Sequence, residues 1–502
     1  MTKRQREKMS QNENLIQNGQ FSIEIKTADD GKLNGQQVAW LVNKADKVLK
    51  PQYLNNQLYV SGTHPEINKA PAKDDPDNRL SIPIPRKAIK TMSGYLAKPG
   101  NVIYTTEEAY AEYLTKVFKE NYESLETNRA LEESLTNGRA FEIHYYVDGE
   151  LPQFKFVDPK EIITIYSANI KPELLYFIRY WTVVELDAKG TEKIIYYADV
   201  YYPDVIQSWK VEGVAGMRST GVISGEYTFL GEVEHFYGVP PLVEYNISLD
   251  KSNFIDHVKP INDSLDKLYS YDVANEIEKL ANAYLALADK IDDVREDENG
   301  ETALDKMKRT KIIELQPGEG KSIDGLVKYI IKNIDTSFLE FSAKNLERLI
   351  YQMLSVVNFD SEDFANAASG ISLAYKLLGM ETQASVVEAN FQAGLQQRIT
   401  LINNIAEVKT AGFQSYPVNI TMKRNLPFDK TESAEIIEKL WGKLSKQTLI
   451  KMFGGDLVDS VEEELKRITE EQDQAFERNL ELQTKIEEPR LDEDDEDGEK
   501  DI

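Results

Sequence analysis

The chain has 502 residues, enough for about two to four structural units around a substantial core. It contains no cysteine, which excludes disulfides, thiolate metal sites and thiol nucleophiles and fits a reducing compartment. A net charge of −26 argues against a protein that grips DNA through its phosphates, because such binding rests on clustered Lys and Arg; a protein that surrounds DNA without holding it stays compatible.

The opening stretch, MTKRQREKMSQNENL, is basic with no apolar run behind it, so it reads as neither a secretory signal nor a membrane anchor. No later segment approaches the roughly 20 apolar residues needed to span a bilayer, and no membrane partner is expected. Residues 1–104 carry a helical pattern in WLVNKADKVL and then prolines and an Asp-Asp-Pro-Asp cluster; they read as an N-terminal arm followed by an extended loop. From Thr105, the spacing of Tyr110, Tyr113, Leu114, Val117, Phe118, Tyr122 and Leu125 predicts two short helices.

Between Phe141 and Tyr245 the runs FEIHYYV, EIITIYS, LLYFIRYWTVVEL, EKIIYYADVYY and EYTFL are short, β-branched and aromatic, with turn residues between them. This is a mainly antiparallel β region. Helical patterns follow over Asp250 to about Ala288, Thr336 to Val357 and Ile371 to Ala411, the last interrupted only by Gly379 and Gly394. A charged insert and the short apolar piece LVKYIIKNI separate the first two. The strand VNITMKRNL leads to a helical block from Thr431 to about Glu487, and the strongly acidic end EEPRLDEDDEDGEKDI should be disordered.

The helix from Thr336 places Leu339, Leu346, Leu349, Ile350, Met353 and Val357 on one face, which suits packing against neighbouring helices. It ends at NFDSEDFANAASG, a loop whose Phe359 and Phe364 have no obvious core; a loop of that length between long helices is more often functional or mobile than connective.

The strongest enzyme-like signal is Gly320-Lys321-Ser322 after the strand-like KIIEL. A phosphate-binding loop requires a glycine five residues before its second one, and that position is Leu315, so the segment reads as a surface turn. His64, His144, His235 and His257 have no partner at helical ligand spacing, and no metal or other cofactor is expected. No catalytic residue can be assigned. Lys306, Lys308, Arg309 and Lys311 follow an acidic run that includes Asp292, Asp293 and Glu296; they read as a charge-alternating surface or as a docking surface for a protein or for phosphates.

Four collinear segments carry a resemblance: PDNRLSIPIPRKAIKTMSGYLAKPGNVIY, VPPLVEYNISLDKSNFIDHVKPINDSLDKLYSYDVANEIEKLANAYLAL, NFDSEDFANAASGISLAYKLLGMETQA, and ITMKRNLPFDKTE with the acidic end. In order and content they resemble the SPP1-like portal proteins of tailed bacteriophages of Gram-positive hosts. The resemblance implies an α+β, ring-forming portal fold with a β-rich wing, a two-helix stem, a small α/β clip, a long wing helix and a helical crown. Its parts would be an arm and loop (1–104), wing (105–249), stem helix (250–281), clip (282–335), second stem helix (336–357), tunnel loop (358–370), long wing helix and strand (371–430), crown (431–487) and acidic tail (488–502).

The same resemblance implies a homo-oligomeric, dodecameric ring at the capsid vertex of the virion, assembled in the host cytoplasm, through which double-stranded DNA is packaged and ejected. Its partners would be the terminase large subunit, a head-tail adaptor, and the major capsid and scaffolding proteins. Asn358, Phe359, Asp360, Ser361, Glu362, Asp363, Phe364, Asn366, Ser369 and Gly370 would form the DNA-channel loop. Asp292, Asp293, Glu296, Lys306, Lys308, Arg309 and Lys311 would dock partners at the clip. Alternatives from other classes are a scaffold or head-completion protein without DNA contact and, with its damaged phosphate loop, a packaging ATPase.

Overall fold

A computed structural model of the chain describes residues 31–69, 77–167, 169–186, 192–212, 226–275, 336–361, 370–425 and 461–487, with short pieces elsewhere. The chain divides into two units, Met1–Asn425 and Leu426–Ile502. Among the described residues no helix is long and apolar enough to cross a membrane.

In the larger unit, β1 (Ile16–Gln17) and β2 (Gln20–Phe21) precede α1, Gly35–Ser61. Asn34 and Gln37 form a reciprocal capping box at its start, each side chain meeting the other's backbone N–H, and Gly62 closes it in the left-handed conformation. The helix contains WLVNKADKVL, where a helical pattern is expected, and extends beyond it on both sides. Val38, Leu41, Val42, Ala45, Leu49 and Tyr53 form one buried face of a 27-residue helix, which packs on a β-sheet. After α2 (Ile84–Leu96) and β3 (Val102–Thr105), the two expected short helices are α3 (Glu108–Glu120) and α4 (Glu123–Asn137).

The β region contains β4 (Arg139–Tyr145), β5 (Gln153–Val157), β6 (Ile162–Tyr166), β7 (Leu174–Leu186), β8 (Glu192–Tyr201), β9 (Val205–Glu212), β10 (Thr228–Glu234) and β11 (Leu242–Asn246). One sheet runs β1-β2-β6-β7-β8-β9-β10, antiparallel except where β2 meets β6. Its Ile163, Ile178, Ala198, Val200 and Trp209 complete the core under α1. A second, antiparallel sheet, β11-β4-β5, has β4 buried over all but its last residue, so both of its faces are covered.

Residues 250–258 form turns closed by the side chains of Asp250 and Asn253 rather than helix. The helix α5 begins at Lys259, nine residues later than expected, with Pro260 in its first turn, where the missing N–H costs nothing. It spans Lys259–Lys267 and continues as a π-helical stretch, Leu268–Ala274. The apolar piece Tyr284–Leu287, expected from periodicity at the end of a helix and from the resemblance in the segment 282–335, is strand β12; it joins β13 (Ile312–Glu314) and β14 (Val327–Ile330) in a small mixed sheet, β13-β12-β14. Gly320, Lys321 and Ser322 lie outside the described residues.

The helix α6 spans Thr336–Leu354, and α7, Gly370–Lys409, is 40 residues long. Gly394 does not interrupt α7. A Cβ there would stand 2.4 Å from Cδ1 of Tyr245, so the glycine lets the helix lie directly on that ring. The largest core gathers Ile89 and Met92 from α2, Leu131 and Leu135 from α4, Tyr245 from β11, Leu265 from α5, Ile350 and Leu354 from α6, and Phe391 and Leu395 from α7. Strand β15 (Asn419–Met422) pairs with β3. In the smaller unit, α8 spans Val461–Glu487, and its Phe476 is exposed. The acidic tail lies outside the described residues.

Candidate functional site

The segment joining α6 to α7 is described at Asn358–Ser361 and Phe364, and at Gly370, which opens α7. Of the remaining residues expected to form the channel loop, Glu362, Asp363, Asn366 and Ser369 lie outside the described residues. So do all the expected docking residues: Asp292, Asp293, Glu296, Lys306, Lys308, Arg309 and Lys311.

The described part of the loop is folded on itself. Ser361 Oγ donates to the Asn358 carbonyl at 2.7 Å, and the Phe364 N–H donates to the Ser361 carbonyl at 3.0 Å. The Asn358 amide donates to Glu347 of α6 at 3.2 Å. Lys87 of α2 is ion-paired with Asp360, and that contact raises its pKa above the usual lysine value. Both partners are well exposed, so the pair contributes little stability. Phe359 and Phe364 meet edge to face at 4.9 Å. Contrary to expectation Phe364 has a core, since it packs against the largest hydrophobic cluster, while Phe359 stays partly exposed. Beside the loop lies a cavity of about 940 Å³, lined by the basic Lys87, Lys344, Arg348 and Lys376 together with Glu347 and Asp360.

Of the apolar face expected on α6, Ile350 is buried, Leu346 and Val357 pack against the largest cluster, Leu339 and Leu349 are half-buried, and Met353 is largely exposed. Tyr351 and Leu354 are also buried, whereas Phe338 and Phe341, off that face, are largely exposed. Among the described residues α6 thus hides one apolar stripe and shows further apolar side chains.

Two buried polar clusters, neither anticipated, fix α7, which follows the loop, and α5, which packs against α6. In the first, fully buried Arg398 of α7 donates Nε to Glu142 Oε1 at 3.0 Å and Nη2 to Glu142 Oε2 at 2.6 Å. Its Nη1 donates to Glu123 at 2.9 Å and to Thr127 at 2.7 Å, and its guanidinium lies 4.7 Å from the centroid of the Phe154 ring. Burial alone would raise the Glu142 carboxyl, but the Arg398 charge and its hydrogen bonds hold it down at about 2. His144, also fully buried, contacts Glu142 through Nε2 at 3.0 Å, and burial pushes its pKa below the usual value. A neutral ring then donates from Nε2 to the carboxylate. One signal was present: Arg398 falls on the helical face of Phe391, Leu395, Ile402 and Ile405, where a charge must have partners.

In the second cluster, buried His64 faces Asp266 of α5 through Nδ1 and the Tyr59 carbonyl through Nε2 at 3.0 Å. A carbonyl only accepts, so Nε2 carries a proton, and the carboxylate favours a second one on Nδ1. Burial lowers the pKa of this ring, but the Asp266 contact outweighs it and the net shift is upward. The chain over 77–83 runs non-helically beside α5. The N–H groups of Ile82, Leu80 and Asn78 donate to Asp266, Ser270 and Asn275, each at 2.9 Å. Alternate residues of an extended chain advance about 6.6 Å and four helical residues about 6 Å, so the two ladders match. The last spacing is five residues, and the π-helical turn brings Asn275 back onto the same face.

Among the described residues no group of His, Asp and Glu could hold a metal ion. Among the described residues the arrangement offers two long helices and an intervening loop pinned to α6 and α2 at one end. No curated protein matches the chain. The sequence model of the family described as phage portal protein, SPP1 Gp6-like, matches residues 41–478. That match covers most of the chain, including every element that positions the loop, and the chain therefore belongs to the SPP1 Gp6-like family of phage portal proteins.

Proposed function

We propose that copies of this chain close into a ring, dodecameric as the resemblance implies, whose bore passes double-stranded DNA into the capsid during packaging and out of it during ejection. The family is a structural, non-enzymatic part of the bacteriophage capsid that serves genome packaging. On this reading α5 and α6 are the stem, the sheet of β12, β13 and β14 belongs to the clip, α7 is the long wing helix, and residues 358–370 face the DNA. The clip residues dock first the terminase large subunit and later a head-tail adaptor, while outer surfaces meet capsid and scaffolding proteins.

The single observation that carries this reading is the family match over 41–478. The physics is compatible with it. A chain of net charge −26 repels phosphates, so a duplex inside such a ring slides with little adhesion, and cyclic symmetry repeats each lining charge around the bore. Electron microscopy of the purified protein tests it: cone-shaped rings with a central hole are expected. Isolated chains at working concentration, even with other head proteins supplied, would end the reading.

A further inference from the structure

The long helix α7 carries a second, solvent-facing stripe opposite its buried one. Tyr375, Leu378, Thr382, Val386, Ala389, Ala393 and Gln396 recur at spacings of three and four residues, and every one of them is exposed. Tyr375 is 74%, Leu378 60% and Val386 49% exposed. The stripe is about 32 Å long at 1.5 Å per residue and holds no charged residue. In a chain with 29% charged residues, seven solvent-facing positions should include about two.

The charges that α7 does carry beside this stripe are engaged within the chain. Glu381 and Glu388 both bind Arg424, at 2.9 and 2.7 Å. The polar groups on the stripe and at its edge also turn inward: Thr382 Oγ1 donates to the Leu378 carbonyl at 2.9 Å, and the Asn390 amide donates to the Val386 carbonyl at 2.8 Å. The outward surface from Leu378 to Ala393 is thus mainly methyl and methylene, with the Tyr375 ring at one end and the Gln396 amide at the other. A helix apolar on both sides is a buried helix, and among the described residues nothing covers this second side.

We infer that the Tyr375–Gln396 stripe of α7 is covered by a second copy of this chain, and this rests on the ring reading above. A ring contact is head to tail, so two different patches must meet. The exposed Phe338 and Phe341 of α6, 63% and 69% exposed, provide apolar surface for the other side of such a contact. A strip about 32 Å by 10 Å supplies roughly 300 Å², under half of the about 800 Å² per partner in a stable interface, so it is the apolar centre of a larger contact. Ala389 and Ala393, being small, let an opposing helix or ring approach closely.

The native chain lacks cysteine, which makes footprinting clean. Ala389→Cys is treated with a maleimide in the dissociated chain and in the assembled particle, alongside Val386→Glu, with circular dichroism confirming that both variants fold. Labelling of Ala389→Cys should slow at least tenfold on assembly, and Val386→Glu should leave folded, dissociated chains. Equal labelling in an intact ring, or rings formed normally by Val386→Glu, would remove α7 from the interface while leaving the ring reading untouched. Protection that appears only in complete heads would assign the stripe to another head protein and overturn the inference. An unmodified chain that never assembles would defeat the ring reading itself.

Discussion

Replacing Arg398 by Met keeps most of the side-chain volume and removes the charge that serves two buried carboxylates. Glu142, at 0% exposure, loses both hydrogen bonds of its bidentate pair, and Glu123 loses its 2.9 Å contact. Breaking a buried pair from one side costs about 3–5 kcal/mol, since the partner's charge stays uncompensated. The pKa of Glu142 gives a similar figure: moving from an ordinary 4.5 to about 2 corresponds to about 3 kcal/mol at neutral pH. Because the folded value is the lower one, that stability is present above 4.5 and is lost as the pH falls toward 2. Urea unfolding at pH 7, followed by near-ultraviolet circular dichroism, should show the loss in Arg398→Met. The double variant Arg398→Met/Glu142→Gln should recover part of it, giving a coupling above about 1 kcal/mol. A loss below about 1 kcal/mol in the single variant, or strict additivity in the double, would falsify the clamp.

Three further outcomes are expected. The raised pKa of His64 means that its contribution is complete below 6.5 and fades as the pH climbs through the raised value; thermal melting from pH 5.5 to 9 should show this in the native chain but not in His64→Gln. Gly394→Ala should destabilise by about 1–3 kcal/mol, because a Cβ 2.4 Å from the Tyr245 ring forces the helix away, and an unchanged melting temperature would contradict that packing. Shortening the loop between Asn358 and Gly370 should leave ring assembly intact and impair DNA filling of heads; normal filling would count against its place in the channel.

Much of this architecture is legible in the sequence because the periodicities are clean. The strands from Phe141 to Tyr245 are aromatic and β-branched, and α6 and α7 repeat apolar residues at helical spacing. The length of α1 was hidden by Lys44, Asp46, Lys47 and Lys50, which lie among its buried positions, and by Pro51 inside it. Tyr284–Leu287 was misread because a four-residue apolar run has no period of its own. The π-helical turn before Asn275 leaves no pattern at all, since its purpose shows only against the chain lying beside it. Arg398 was legible in principle, as a cation in an apolar stripe, but its acceptors sit 256 and 275 residues away and only the fold brings them together.

That separation also governs how the chain can be made. At ribosomal rates of about 5–20 residues per second, some ten to fifty seconds pass between synthesis of Glu142 and the arrival of Arg398. Until then a carboxylate destined for the interior must stay hydrated, so β4 cannot be sealed beneath α7. The contact between β4 and α7 can therefore be completed only in the last part of synthesis, whereas the sheet under α1 has all its partners well before that.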